Sequence, residues 1–310
     1  MSFQSSRSLL AFTLAGIALY VALGLFVLPD GPWGDVKQGP LVVLVCLFPL
    51  LGSVIVRRLR TGESYPAAWR QTVTRRSLLS LAWFALASQV FFAAFMAWKA
   101  HLPTWGHFWA DAGLARLDAQ LHGGRDVWLL LQPLTTSAPG LRGLDLIYHC
   151  WLPALCLMLG WRAWAEDYRF FLAFALCWIL LGTALALAVH SGGPIFYWEL
   201  TGGDRYAALM GHLEALPGLR THETRRSLWN AYDLGYPSSI SGFPSMHVAI
   251  VTLYALACPR GLPWLARALW VFAGLMAVAA VGLGWHYAVD IYAGALGAYG
   301  CWWLAGRLSA

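Results

Sequence analysis

The chain has 310 residues, of which 59% are hydrophobic and only 12% are charged. Soluble domains have about 25% charged residues, so this composition excludes an ordinary soluble protein and indicates an integral membrane protein. The net charge of +6 does not indicate nucleic-acid binding, because no basic patch lies within a soluble recognition fold. The six cysteines form no CxxC pair, so we expect buried apolar residues with no disulfide framework and no zinc site.

Eight apolar segments predict membrane-spanning helices, which need about 20 residues. The segments are 8–28, 40–57, 77–99, 144–164, 169–190, 243–258, 265–283 and 286–306. The first is too long for the apolar part of a typical signal peptide and no clear cleavage site follows it, so we expect an uncleaved span. The predicted fold class is all-α, a polytopic membrane helix bundle. It has a six-helix core over 77–310, and two N-terminal spans and a basic loop over 1–76.

The distribution of charge predicts the orientation, because cytoplasmic loops of membrane proteins are enriched in Lys and Arg. With a cytoplasmic N-terminus, 12 of the 21 basic residues but only 3 of the 15 acidic residues lie inside. The loop 57–76, with six arginines, contributes most. The long segments 100–143 and 191–242 are then outside. That face is periplasmic for the inner membrane of a Gram-negative bacterium and lumenal in a eukaryote.

Two polar features on the outer side precede the main motifs. Residues 111–118 alternate apolar and charged side chains at helical spacing, which is typical of an amphipathic helix lying on the membrane. Asp145, Tyr148 and His149 form a polar stripe at the outer end of the fourth span. These three side chains either contact a substrate head group or pack against other helices.

The first motif is Gly-Phe-Pro-Ser-Met-His, which ends at His247 and begins an apolar segment. Pro244 suits the first turn of a helix, where its missing N–H is not needed. The free N–H groups of that turn and the helix dipole attract anions. Ser245 adds a hydroxyl donor and His247 a titratable group, so the motif predicts a phosphate site.

The second motif is His-Tyr-Ala-Val-Asp, from His286 to Asp290. Residues four apart share a helical face, so the carboxylate can hold one imidazole nitrogen by a hydrogen bond. This fixes the tautomer and leaves the other nitrogen as a nucleophile. Both motifs begin helices on the same side, which predicts phosphoryl-transfer chemistry at a membrane surface.

Three other interpretations of the two motifs remain open. Histidines in membrane helices also serve as hydrogen-bonding groups in helix packing. Two histidines and an aspartate could bind a metal, although the Pro-Ser helix start suits phosphate better. A transporter could use the histidines as a proton relay, but a relay predicts polar residues across the whole membrane, and here they concentrate at one face.

The two motifs resemble the Pro-Ser-x-His and His-x-x-x-Asp motifs of the type 2 phosphatidic acid phosphatase superfamily of membrane lipid phosphatases and phosphotransferases. The matching residues are Pro244, Ser245, His247, His286 and Asp290. The resemblance implies that His286 attacks phosphorus and forms a phosphohistidine, which Asp290 orients. It implies that His247 protonates the leaving oxygen and then deprotonates water or an acceptor alcohol, while Ser245 holds phosphoryl oxygens. No metal and no redox cofactor are implied.

The resemblance covers mainly residues 77–306 and is incomplete at the family's basic residues. Where the family has a Lys and an Arg-Pro pair, this chain has His-Ser-Gly-Gly-Pro from His190 to Pro194, and Ala280 replaces an arginine six residues before His286. With these departures and its Ser-Met-His and His-Tyr-x-x-Asp sequences, the chain resembles the branch that contains inositol phosphorylceramide synthase, which exchanges a phosphorylated head group between lipids. An inositolphosphotransferase-like enzyme acting on a membrane lipid is therefore implied. Hydrolysis of a lipid phosphate or a polyprenyl diphosphate is the alternative.

The phosphate site also needs positive charge. Arg225 and Arg226 are the preferred candidates, because they lie in the segment leading to the first motif. Their alternative role is a solvated charge or a head-group contact. His190 and Gly193 are further candidates for phosphate or substrate binding, and a helix cap is the alternative for His190.

Overall fold

The structure is a computed structural model that describes residues 3–28, 54, 57–58, 61–165, 167–236 and 238–309. Within these ranges all regular structure is helical, which confirms the predicted all-α fold class. The predicted span 40–57 lies outside the described residues, apart from Val54 and Arg57.

The helices are labelled in chain order. They are α1 (Phe3–Val27), α2 (Tyr65–Thr72), α3 (Arg75–His101), α4 (Asp111–Leu121), α5 (Gln132–Thr135), α6 (Ala138–His149), α7 (Trp151–Trp164), α8 (Tyr168–Leu176, then a π-helix over Cys177–Leu185, then Ala186–Ala188), α9 (Tyr197–Thr201), α10 (Ala207–Glu214), α11 (Arg220–Asp233), α12 (Met246–Ala257), α13 (Pro263–Gly282) and α14 (Ala288–Leu308). Short 3-10 helices cover Leu102–Thr104, Val127–Leu131 and Pro194–Phe196.

Each predicted span that falls on described residues coincides with helix. In the described chain, three helical segments are long and apolar enough to cross a membrane: Ala138–Ala163, Tyr168–Ala188 and Pro263–Gly282. These apolar helices indicate a membrane protein. The orientation, and the division into two N-terminal spans and a six-helix core, stay predictions.

The chain forms two compact units. The first comprises Met1–Ala97, Leu152–Leu172 and Ala305–Ala310. Within it, the ring centroids of Tyr20 and Phe91 lie 5.8 Å apart.

The second unit comprises Trp98–Trp151 and Ala173–Leu304 and contains both motifs. Helix α12 is buried along most of its length, and it packs against α13 and the π-helical part of α8, while α13 also packs against α6. A Cβ atom at Gly294 would collide with the backbone carbonyl of Ser245. Glycine at this position therefore lets α14 approach the beginning of α12 closely.

Candidate active site

Three segments of the second unit form the candidate site: 190–196, 242–247 and 284–290. Backbone hydrogen bonds fasten them to one another. The bonds run from Gly242 N to Ser191 O (2.6 Å), from Ile195 N to Gly284 O (2.7 Å) and from Ser245 N to Asp290 O (3.0 Å). The two motifs and the segment after α8 therefore lie together, although they are distant in sequence.

His286 is buried, with 5% of its surface exposed. Its Nδ1 lies 2.7 Å from the carbonyl oxygen of Gly242 and 3.6 Å from Oδ2 of Asp290. A carbonyl oxygen only accepts hydrogen bonds, so Nδ1 carries the proton of the neutral ring and Nε2 keeps its lone pair. The hydrogen bond that the sequence predicted from Asp290 is thus made by Gly242, and the carboxylate lies at ion-pair distance.

Asp290 and Ser245 both stabilise helix starts. Oδ2 of Asp290 accepts the N–H of Tyr287 at 2.9 Å, while its Oδ1 is buried and has no hydrogen-bond partner among the described residues. Ser245 is fully buried and caps α12, with its hydroxyl accepting the N–H of Val248 at 3.4 Å. The Ser245 side chain therefore performs the structural task that an N-cap residue performs.

His247 lies in the first turn of α12 and is half-buried among aromatic rings. Its ring stacks on Tyr148 with centroids 4.3 Å apart, and the ring of Trp151 lies at 4.7 Å. The hydroxyl of Tyr148 is 3.2 Å from Nδ1 of His247. The ring centroids of His247 and His286 are 6.3 Å apart, so Tyr148 orients one member of a histidine pair.

Helix α4 anchors the site through the buried carboxylate of Asp111. Its oxygens accept the N–H groups of Gly192 and Gly193, each at 2.9 Å, and the hydroxyl of Tyr287 at 2.9 Å. Burial raises the pKa of the Asp111 carboxyl, and these hydrogen bonds oppose that rise.

Asp118 extends the anchor two turns further along α4. Its Oδ1 accepts the N–H of Val289 at 2.9 Å, and burial raises the pKa of this carboxyl as well. Asp111 and Asp118 are both buried, because they face the motif segments. The predicted helix over 111–118 is thus present, but its acidic side chains point into the protein and not toward a polar surface.

The segment after α8 supplies unpartnered polar atoms. Nε2 of His190 and the hydroxyl of Ser191 are buried and, within the described part of the chain, have no hydrogen-bond partner. Gly193 has φ +87°, and a Cβ there would collide with the carbonyl oxygen of Trp285. Glycine is therefore required at this position for close approach to the second motif.

The structure does not bring Arg225 and Arg226 to the site as free positive charges. Arg225 forms an ion pair with Glu199 and donates to the carbonyl oxygen of Ile195 at 2.9 Å. Arg226 is exposed on α11, and no described contact links it to the three segments. The positive charge of Arg225 is therefore neutralised within the protein.

The polar stripe on α6 divides into two roles. The carboxylate of Asp145 caps α11 by accepting the N–H groups of Arg220 and Thr221, each at 3.0 Å, and the hydroxyl of Thr221 at 2.7 Å. His149 bonds to the carbonyl oxygen of Asp145 at 2.8 Å. The contacts of Asp145 and His149 are therefore those of helix packing, whereas Tyr148 contacts His247.

The comparison with known families identifies this arrangement. A family model described as the PAP2 superfamily matches residues 112–304, which is more than half of the chain. The chain belongs to the PAP2 superfamily. The predicted superfamily is thereby confirmed, and PAP2 membership implies phosphatase- or phosphotransferase-type activity on phosphate esters. Comparison with characterised proteins and with solved structures gave no match.

Sequence reasoning did not identify three contributors to this PAP2 site. Asp111 and Asp118 had the helical charge pattern of a surface helix. Tyr148 was noticed only as part of a polar stripe. For the aspartates, an available signal was the position of two carboxylates seven residues apart, and hence on one helical face, in an otherwise acid-poor chain.

Proposed function

We propose that this PAP2 enzyme transfers a phosphoryl or phosphorylated head group from a membrane lipid phosphate ester to a lipid alcohol, in the manner of an inositolphosphotransferase. The observation that carries the proposal is the hydrogen bond from Nδ1 of His286 to the Gly242 carbonyl. It leaves Nε2 with a free lone pair in a buried setting, as a nucleophile requires.

The proposed reaction has two displacements at phosphorus. In the first, Nε2 of His286 bonds to phosphorus, the bond to the leaving oxygen breaks, and His247 gives that oxygen a proton. In the second, His247 takes the proton of the acceptor alcohol, the alcohol oxygen bonds to phosphorus, and the bond to His286 breaks. The ring centroids of the two histidines lie 6.3 Å apart, which is close enough for both side chains to contact one bound phosphate ester.

In this scheme Asp290 provides the negative charge beside His286. At 3.6 Å from Nδ1, its carboxylate stabilises the positive charge that His286 acquires when it bonds to phosphorus. The Gly242 carbonyl fixes the tautomer, so orientation and charge stabilisation come from two different groups.

The phosphoryl oxygens have donors in two of the three segments. The first-turn N–H groups of α12, which follow Pro244 and Ser245, lie at a helix end that attracts anions. The unpartnered atoms of His190 and Ser191 lie in the segment that Gly193 brings against the second motif. Because Asp111 occupies the Gly193 amide, we assign Gly193 to close approach and not to phosphate binding.

We also propose that the site faces the outer side of the membrane. The asymmetry of arginines puts the beginning of α12 and the beginning of α14 on the side opposite the loop 57–76. A periplasmic or lumenal face follows from a cytoplasmic N-terminus.

The test uses purified protein in lipid nanodiscs, with head-group-labelled phospholipids and polyprenyl diphosphates as donors, with and without a ceramide or diacylglycerol acceptor. Label transferred to the acceptor lipid, and lost in His286→Ala, is the expected result. Release of phosphate or head-group phosphate regardless of acceptor would replace transfer with hydrolysis. Full activity of His286→Ala would refute the nucleophile.

A further inference from the structure

Trp285 lies directly before His286 in the chain and is buried, with 8% of its surface exposed. Its ring is nearly parallel to that of Tyr148, with an interplanar angle of 5° and centroids 5.8 Å apart. Aromatic pairs at this spacing prefer such an offset stack. The residue next to one histidine therefore contacts helix α6, which contributes no residue to either motif.

Tyr148 also contacts the other histidine. Its ring stacks on that of His247 with centroids 4.3 Å apart, and its hydroxyl lies 3.2 Å from Nδ1 of His247. Trp285, Tyr148 and His247 thus form a continuous series of ring contacts. Because a peptide bond joins Trp285 to His286, this series connects the two histidines.

Three further contacts hold Trp285 in place. Its Nε1 donates to the hydroxyl of Thr221 at 3.4 Å, and that hydroxyl donates to Asp145 at 2.7 Å. The ring of Phe196 meets the indole edge-on, with centroids 6.3 Å apart. Gly193 leaves space for the carbonyl oxygen of Trp285, which a Cβ atom would strike. A buried ring held on several sides can fix the position of a ring that stacks on it, because protein interiors are close-packed.

The separation of the two histidines matters for the proposed reaction. His286 must reach phosphorus while His247 reaches the leaving oxygen of the same phosphate ester, and a misplacement of about 1 Å can lower a rate about 100-fold. In the described part of the chain, neither imidazole hydrogen-bonds to the other, and their centroids lie 6.3 Å apart. Their relative position therefore depends on other side chains.

We propose that Trp285 is a positioning residue, which sets the place of His247 relative to His286 through the ring of Tyr148. The inference rests on the proposed function, because it requires both histidines to act on one phosphate ester. It holds whether the acceptor is an alcohol or water. Trp285 acts through Tyr148 and not by contact with substrate, so its effect falls on kcat and not on KM.

A double-mutant cycle on lipid turnover in nanodiscs tests the route through Tyr148. Turnover is measured as total label leaving the donor lipid, whatever the acceptor. Trp285→Leu should lower kcat about 2- to 12-fold with little change in KM, because the stacking is lost. In a Tyr148→Leu background the same substitution should lower kcat less than about twofold, because the ring through which Trp285 acts is already gone. Equal fold losses in both backgrounds, or a raised KM with unchanged kcat, would overturn the inference.

Matched variants separate positioning from loss of folding. Trp285→Phe keeps a ring for Tyr148 to stack on and should recover most of the kcat. Trp198→Leu, which changes an exposed tryptophan in the segment 191–242, should keep the kcat of the wild type. If thermal unfolding shows that Trp285→Leu does not fold, Thr221→Val provides the test, since it removes only the acceptor of the indole N–H. Its kcat should then be about 2- to 5-fold lower, and a wild-type kcat would contradict the proposal.

The proposed function and this inference fail on different readouts. Release of label to water in place of a lipid alcohol would reject the transferase and leave the cycle valid. Equal fold losses in the cycle, with His286→Ala inactive, would reject the role of Trp285 alone. Full turnover in His286→Ala would refute the proposed function, and the inference with it.

Discussion

Replacing Asp111 with asparagine tests whether α4 holds the site together. The carboxylate accepts three hydrogen bonds, from the amides of Gly192 and Gly193 and from the hydroxyl of Tyr287. An asparagine side chain offers one acceptor oxygen, and its NH₂ group would face a backbone donor. Asp111→Asn therefore leaves at least one buried donor without an acceptor.

The size of the effect follows from that lost acceptor. A buried donor left unpaired costs about 1–3 kcal/mol. If misplacement of the Gly192–Gly193 segment adds the same free energy to the activation barrier, turnover drops about 5- to 150-fold. Removing a buried charge offsets part of the loss in folding stability, so we expect the variant to fold.

The pH dependence provides a second check on Asp111. Because burial raises its pKa in the folded protein, the stabilisation linked to its protonation is complete below the ordinary aspartate pKa of 3.8 and is lost as the pH rises through the raised value. The variant has no such titration. The difference in unfolding free energy between wild type and variant should therefore narrow as the pH rises.

The assay is lipid turnover in nanodiscs together with thermal unfolding. Asp204→Asn, which changes an exposed carboxylate in the segment 191–242, is the matched control. Tyr287→Phe removes one of the three donors and should give a smaller loss. Wild-type turnover in Asp111→Asn would refute the view that α4 positions the site.

Three further substitutions have defined outcomes in the same two assays, lipid turnover and thermal unfolding. Tyr148→Phe keeps the stacking on His247 but loses the hydroxyl, so turnover should fall about 2- to 10-fold with little change in KM; an unaltered pH–rate profile would argue against an orienting role. Gly193→Ala forces a side chain into a left-handed conformation and against the Trp285 carbonyl, so the thermal midpoint should drop by an amount equivalent to more than about 1 kcal/mol. Asp290→Asn should leave a weaker residual rate, and an unchanged rate would remove it from the mechanism.

Local sequence patterns predicted where the helices begin and that His247 and His286 are functional residues. Pro244 and Ser245 are residues that begin helices for local reasons, and Ser245 does cap α12. Both histidines were predicted to be functional because each lies at the end of an apolar segment. Such signals are readable because cause and effect lie within one helical turn.

The partners of these residues were not predictable, because they come from distant parts of the chain. The (i, i+4) spacing favoured Asp290 as the hydrogen-bond partner of His286, but the Gly242 carbonyl, 44 residues away, takes that position. Nothing in the sequence indicated that Arg225 has a partner, but in the folded chain it forms an ion pair with Glu199. A local pattern specifies what a side chain can do, whereas the fold specifies what it contacts.

Two unpaired polar atoms in the segment after α8 support a preorganised site. Buried polar groups are nearly always hydrogen-bonded, so each exception calls for an explanation. The backbone of the three segments is tied together by its own hydrogen bonds and by Asp111 and Asp118, yet His190 Nε2 and Ser191 Oγ are left without partners among the described residues. A backbone fixed in this way, with unpaired polar atoms in a segment bonded to both motifs, fits the proposed binding of a phosphoryl group.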